Sequence, residues 1–265
     1  MKKSFDTLVV GATAVGIGYA AAHPGTLVID SGEIPFPEFV LAVVSADCGQ
    51  ADTDLGRALH GQLDKYGIVH KNNAGSEELD VQRFSPVSCK IIREMDIAVL
   101  LLTRIVSIRE AALGGFDIEI HNNEGVSAIH TNKIVDTAST PSAALRKQYQ
   151  PEKQVLHLLA SDFDSAECLV GGEGIIKRKE PNGLWNLGFS FDSTVSITQA
   201  RERIIAFWQE RLSKTPARIV MLASEFQQIL CPGEAEKVQL PNNWIWCPAC
   251  GYSDLMKSFE KGGSL

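Results

Sequence analysis

The chain has 265 residues, 45% hydrophobic and 22% charged, enough to bury a substantial core and inconsistent with a disordered or fibrous protein. A formal charge of -7, with no basic block interleaved with aromatics, excludes a nucleic-acid or anionic-membrane surface, since both need concentrated Lys and Arg. Beyond the N-terminal segment no apolar run approaches the roughly 18 residues of a membrane span, and six cysteines are too few for a disulfide scaffold, so a soluble cytoplasmic protein is expected.

Thr7 to Val10 reads as a buried strand, Gly11 as a tight turn, Ala14 to Ala22 as a small-residue helix, and Thr26 to Ile29 as a second strand ending on Asp30. This order makes a dinucleotide site. Free amides at the helix N-terminus, around Ala14 and Val15, face an anion such as a pyrophosphate. Asp30, with Ser31 beside it, stands about 20 residues past Gly11, where an acid accepts hydrogen bonds from a ribose diol. The fingerprint departs from Gly-x-Gly-x-x-Gly at its middle position: Gly11 and Gly16 are kept, but Thr13 replaces the second glycine. Either Thr13 gives its hydroxyl to a phosphate in a reshaped turn, or cofactor binding is weakened. A rival reading takes Met1-Lys2-Lys3 and the apolar run to Ala22 as a secretory signal. Asp6 and the glycines at 11, 16 and 18 argue against it, as does the following strand with its closing acid.

Glu33 to Glu38 carries two prolines and reads as a connection rather than a helix or central strand. Leu55, Leu59, Leu63 and Tyr66 fall at helical spacing, with Gly67 placed to end the helix, and 72–78 reads as a polar loop. Ser85 as cap and Pro86 as first residue predict a short helix to about Met95. Ala98 to Leu102 then reads as a strand buried on both faces. Arg104 to Arg109, Phe116 to His121 and Val126 to His130 form a three-stranded antiparallel excursion, and Lys133 to Asp136 a return strand. From Thr140 to about Gly233, strands at Val155 to Leu159 and Leu184 to Phe191 precede an amphipathic helix capped by Ser196 and Gln199, and a second short helix is expected over Met221 to Leu230. Gly171-Gly-Glu-Gly174 lacks the following Lys-Ser/Thr of a phosphate loop and reads as a turn. The fold expected is α/β. A Rossmann-like domain, with a parallel sheet and the antiparallel excursion, spans 1–139 and 235–265, and an inserted α+β cap spans 140–234.

Laid end to end, these pieces resemble the FAD-dependent oxidoreductases of the glutathione-reductase fold group. The likeness rests on the Gly11-x-Thr13-x-x-Gly16 turn with Asp30, on Phe84-Ser-Pro86 leading into Val99 to Val106, on Lys133-Ile-Val-Asp136-Thr-Ala-Ser139, and on the closing segment Trp244 to Gly262. The resemblance implies FAD as cofactor, with the backbone near Ile105 holding the adenine and Thr137 in the second turn. It also implies that Gly251, Tyr252 and Ser253 face the flavin, with Ser253 capping the last helix. A small organic substrate, hydride transfer, no nucleic acid or membrane partner, and a chain free to form a homo-oligomer go with that reading. A nicotinamide-dependent dehydrogenase or reductase, and a non-catalytic or accessory protein on a degenerate flavoprotein fold, remain as alternatives.

Cys247-Pro-Ala-Cys250 has three readings. It is a redox pair whose spacing lowers the nucleophile's pKa, a pair packed under the indoles of Trp244 and Trp246, or half of a zinc site with no second half in the sequence. Cys48, Cys89, Cys168 and Cys231 read as ordinary packing, and the six histidines are scattered singly, with no triad or metal-helix spacing.

Overall fold

The computed structural model describes residues 3–44, 47–71, 75–138, 151, 153–162, 175–180, 182–211, 215–229, 237–252 and 254–265. Strand β1 (Lys3–Val10) sends Leu8 and Val9 to opposite faces, and both are fully buried. The chain turns at Gly11, whose φ of 99° suits a residue without a Cβ, and enters helix α1 (Ala14–Ala22). The Thr13 hydroxyl caps α1 by accepting from the Gly16 amide at 3.1 Å. Strand β2 (Thr26–Ile29), buried at every residue, lies parallel to β1. The segment that the rival reading took for a signal thus supplies β1, an interior strand of the sheet, and α1.

Pro37 opens a one-turn helix α2 (Pro37–Val40), correcting the expectation of a plain connection, because proline is favoured at the first helical position. Helix α3 (Asp54–Lys65) follows, capped by Thr53 and closed by Gly67 at φ 61°. A small hairpin, β3 (Val69–Lys71) with β4 (Glu77–Leu79), leads to α4 (Val81–Glu94). This helix starts earlier than Ser85. Asp80 caps it by accepting from the Arg83 amide at 3.1 Å, and Pro86 lies inside. Strand β5 (Val99–Leu100) is two half-buried residues rather than a long buried strand, ended by Leu102 at φ 52°.

Strands β6 (Arg104–Glu110) and β7 (Phe116–Asn122) form the expected excursion, but its third strand and the return strand are one, β8 (Gly125–Asp136). Its first part pairs antiparallel with β7 and its last part parallel with β1. After residue 150 a second sheet is built around β9 (Lys153–Ser161), flanked by β10 (Ile175–Lys179) and β11 (Trp185–Asp192) on one side. Helix α5 (Ile197–Arg211) buries Ala200 and Ile204 against this sheet, with the Ser196–Gln199 capping box formed. The helix expected over Met221 to Leu230 is instead two strands, β12 (Arg218–Leu222) and β13 (Gln227–Ile229), both paired with β9. Gly171 to Gly174, Cys168 and Cys231 lie outside the described residues.

The chain then returns to the first sheet. Strand β14 (Val238–Leu240) pairs with β15 (Trp244–Trp246), which lies parallel to β8, giving a parallel core β15-β8-β1-β2-β5. A 3-10 turn over Ala249–Gly251 leads to the last helix, α6 (Leu255–Gly263), capped by Asp254; Ser253, expected to cap it, lies outside the described residues. Asp254 accepts from the Lys257 amide at 2.7 Å. Helices α1 and α6 touch backbone to backbone. A Cβ on Gly18 would overlap the carbonyl of Phe259, and one on Gly262 the carbonyl of Val15. Among the described residues no helix is long and apolar enough to cross a membrane.

Candidate functional site

A cavity of about 660 Å³ opens where β1 and β2 end, bounded also by the loop between β12 and β13 and by the C-terminal turn. Gly11, Thr13, Asp30 and Ser31 line it, as expected, and so do Cys250 and Tyr252 from the far end of the sequence. Crevices at the carboxyl ends of parallel strands are where open α/β sheets bind ligands.

Two turns form its floor, locked together by hydroxyls. Thr13 Oγ1 donates to Thr137 Oγ1 at 2.8 Å, and Thr137 Oγ1 lies 3.0 Å from the Val10 carbonyl and 3.1 Å from that of Gly11. Both threonine hydroxyls are therefore committed within the protein, so of the two alternatives for Thr13 the hydrogen bonding does not favour donation to a phosphate. A Cβ on Gly16 would overlap the Gly11 carbonyl, so the third glycine of the fingerprint serves close helix–strand packing. Asp30 braces the loop on both sides: Oδ2 accepts from the Ala12 amide and Oδ1 from the Gly32 amide, each at 2.7 Å. Each carboxylate oxygen keeps a lone pair for a ligand hydroxyl.

Glu38, which the sequence reading passed over, is the group bonded to the helix N-terminus. Its Oε1 accepts from the Ala14 amide at 2.6 Å, while Oε2 is buried with no hydrogen-bond partner. Burial pushes its carboxyl up to about 8 against the pull of the Ala14 amide, with Asp30 and Glu225 adding repulsion. Burial, then Asp30, also raises Glu225, which enters the cavity from the loop before β13. Asp136, at the end of β8, is pushed up to about 7 by burial, opposed by the Ala138 amide.

The other expected residues divide. Val15 is buried against Cys247 and Ala249, and Thr137 sits beneath the cavity floor, with Ala138 lining it. Ile105 is in β6, paired with Ile120 and packed into the sheet's outer core, away from the cavity. Gly251 is in the 3-10 turn, and Ser253 lies outside the described residues. The Cys247 thiol is buried and pushed up by that burial, opposite to the lowering that the redox reading of the pair requires, although Tyr252 and two lysines oppose the shift. Val15, Ala249 and Tyr252 pack around it. Trp244 meets Phe116 edge-on, and the Trp246 indole donates to the Ala138 carbonyl at 3.1 Å. Sequence offered one sign of Glu38, a proline at a helix start followed by an acid; nothing local marks Glu225.

No protein-family model and no curated protein sequence matches the chain. Solved structures do. The fold is similar to p-nitrophenol 4-monooxygenase PnpA from Pseudomonas putida DLL-E4, with a TM-score of 0.61 at 15% identity over 93% of this chain and 72% of that one. It is also similar to a geranylgeranyl bacteriochlorophyll reductase-like protein from Thermoplasma acidophilum, with a TM-score of 0.64 at 11% identity over 100% of this chain and 78% of that one. The third is OxyS anhydrotetracycline hydroxylase from Streptomyces rimosus, with a TM-score of 0.60 at 13% identity over 98% of this chain and 60% of that one. The fold is shared. With its parallel core and antiparallel sheets it is a Rossmann-like α/β fold, and these likenesses do not single out the glutathione-reductase group.

Proposed function

We propose that the chain is an FAD-dependent oxidoreductase that moves a hydride between a small organic substrate and flavin. In this reading 1–139 and 235–265 bind the dinucleotide and 140–234 is the substrate-facing cap. The observation that carries it is the return of the chain: β15 pairs with β8, and the turn after it brings Cys250 and Tyr252 to the cavity that Gly11 and Asp30 line. A simple nicotinamide domain needs no such return, so the dehydrogenase alternative is less well supported.

The residues fit an adenine dinucleotide at its nucleoside end. The unused lone pairs of Asp30 accept from a ribose diol, and Gly11 leaves room for a close approach. They conflict with it at one point, the Ala14 amide that Glu38 occupies. The flavin, when bound, supplies the hydride chemistry. The protein positions it and excludes water, with Phe226 and Gln227 from the second sheet facing the nucleotide side. Glu38 also favours a second reading, a non-catalytic protein on the same fold, because a carboxylate at the anion position and an absence of Lys, Arg and His among the described lining residues oppose a diphosphate.

Titrating the purified protein with FAD and following flavin fluorescence separates the two. Saturable quenching that Asp30→Ala weakens by roughly tenfold or more is expected from the loss of a charged hydrogen-bond partner. No quenching at any concentration would leave the non-catalytic reading.

A further inference from the structure

Glu38 sits where an incoming diphosphate needs to be. It accepts from the first amide of α1, a helix end that otherwise attracts ligand anions, and its second oxygen has no partner. The segment that carries it is fastened to both sheets. Phe36 N donates to the Ala12 carbonyl at 2.7 Å on one side. On the other, Val43 is buried in the second sheet's core, Asn186 Nδ2 donates to the Val43 carbonyl at 2.7 Å, and Ser224 N donates to that of Leu41 at 2.9 Å. Both ends of the segment turn at non-glycine residues with positive φ, Phe36 at 57° and Val43 at 53°. For a β-branched valine that backbone is strained, and it persists only because the surrounding contacts hold it.

We propose that the Glu38 carboxyl is a built-in occupant of the diphosphate position of the cavity, and that a dinucleotide enters by taking the Ala14 amide with Glu38 in its protonated form, the proton coming from solvent wherever the carboxyl was ionised. The proposal rests on the dinucleotide reading of the cavity and not on the flavin. The groups facing Glu38 sharpen the demand for that proton. Asp30 at the end of β2 and Glu225 before β13 are both acids, the C-terminal turn presents Cys250 and Tyr252, and no Lys, Arg or His stands among the described lining residues. A diphosphate beside three ionised carboxylates is repelled; protonating Glu38 removes the nearest of those charges. Since Glu38 is already held up to about 8, the proton is available near neutral pH and scarce above it.

The test is calorimetry with ADP-ribose, which carries the diphosphate diester without the flavin, and with FAD, on wild type and Glu38→Gln at about pH 7 and about pH 9. Wild type is expected to weaken toward roughly tenfold per pH unit above about 8, and Glu38→Gln to bind with little pH dependence and more tightly than wild type at the higher pH. Wild type alone gives an independent readout: in buffers of different ionisation enthalpy, close to one proton should be taken up per ADP-ribose at about pH 9. The absence of proton uptake, an equal pH slope in the variant, or failure of both proteins to bind ADP-ribose would overturn the proposal. ADP-ribose binding as predicted without FAD binding upholds it and defeats the flavin reading. FAD binding alike to both proteins does the reverse.

Discussion

Thr137 ties the turn after β1 to the turn after β8 through three oxygen contacts, all in the interior. Removing its hydroxyl while keeping its shape takes the acceptor from the Thr13 hydroxyl and a donor from the Gly11 carbonyl, while the Val10 carbonyl keeps the Thr137 amide at 2.8 Å. Thr137→Val is therefore expected to cost about 1–3 kcal/mol in urea unfolding. The acids nearby set the pH dependence. Asp136 is held up to about 7 and Glu38 to about 8, both raised in the folded state above their ordinary values. A raised carboxyl contributes its stability below the unfolded pKa and loses it as the pH climbs through the folded one, so the protein should become easier to denature between about pH 4 and pH 8. Asp136→Asn should flatten part of that slope; a slope equal to wild type would contradict the burial of Asp136. Sequence exposed the partners at this scale unevenly. Gly11, Gly16 and Asp30 were legible because turn, helix and acid are neighbours along the chain. Glu38 was not, because its role arises only when positive φ values at Phe36 and Val43 fold its segment back over α1.

Among the elements, the α1–α6 contact is the one the cavity depends on, because the turn that precedes α6 carries Cys250 and Tyr252. Gly18 and Gly262 let the two backbones meet, and a side chain at either has no room. Gly18→Ala should destabilise by about 1–3 kcal/mol or more through overpacking. Gly61, exposed on α3 with open space around it, is the control: Gly61→Ala should stabilise by roughly 0.5–1 kcal/mol. Thermal melts of the two variants moving in the same direction would contradict this packing. Elements held by local signals were readable, as with α3 and the capping box of α5. Those decided at long range were not. Met221, Leu222, Phe226 and Leu230 mimic helical spacing, yet pairing with β9 and the β-branched Ile219 and Val220 make strands there. Strand β8 looked like two strands because it changes partner midway, from antiparallel β7 to parallel β1.

At the scale of the molecule, two sheets with separate cores meet over one cavity, and the segment from Phe36 to Val44 belongs to both. The order β15-β8-β1-β2-β5 could be anticipated from the sequence only as far as its first two strands and its return, since pairing across more than a hundred residues leaves no local trace. This arrangement joins the N-terminal fingerprint to the C-terminal turn, and the claim that it does so around FAD is open to direct test. The decisive measurement is chromatography of the nucleotide released when the purified protein, first incubated with FAD and freed of excess, is denatured at about pH 7. The account predicts FAD in a ratio approaching one per chain. Nicotinamide dinucleotide in its place, or no nucleotide after that incubation, would contradict it.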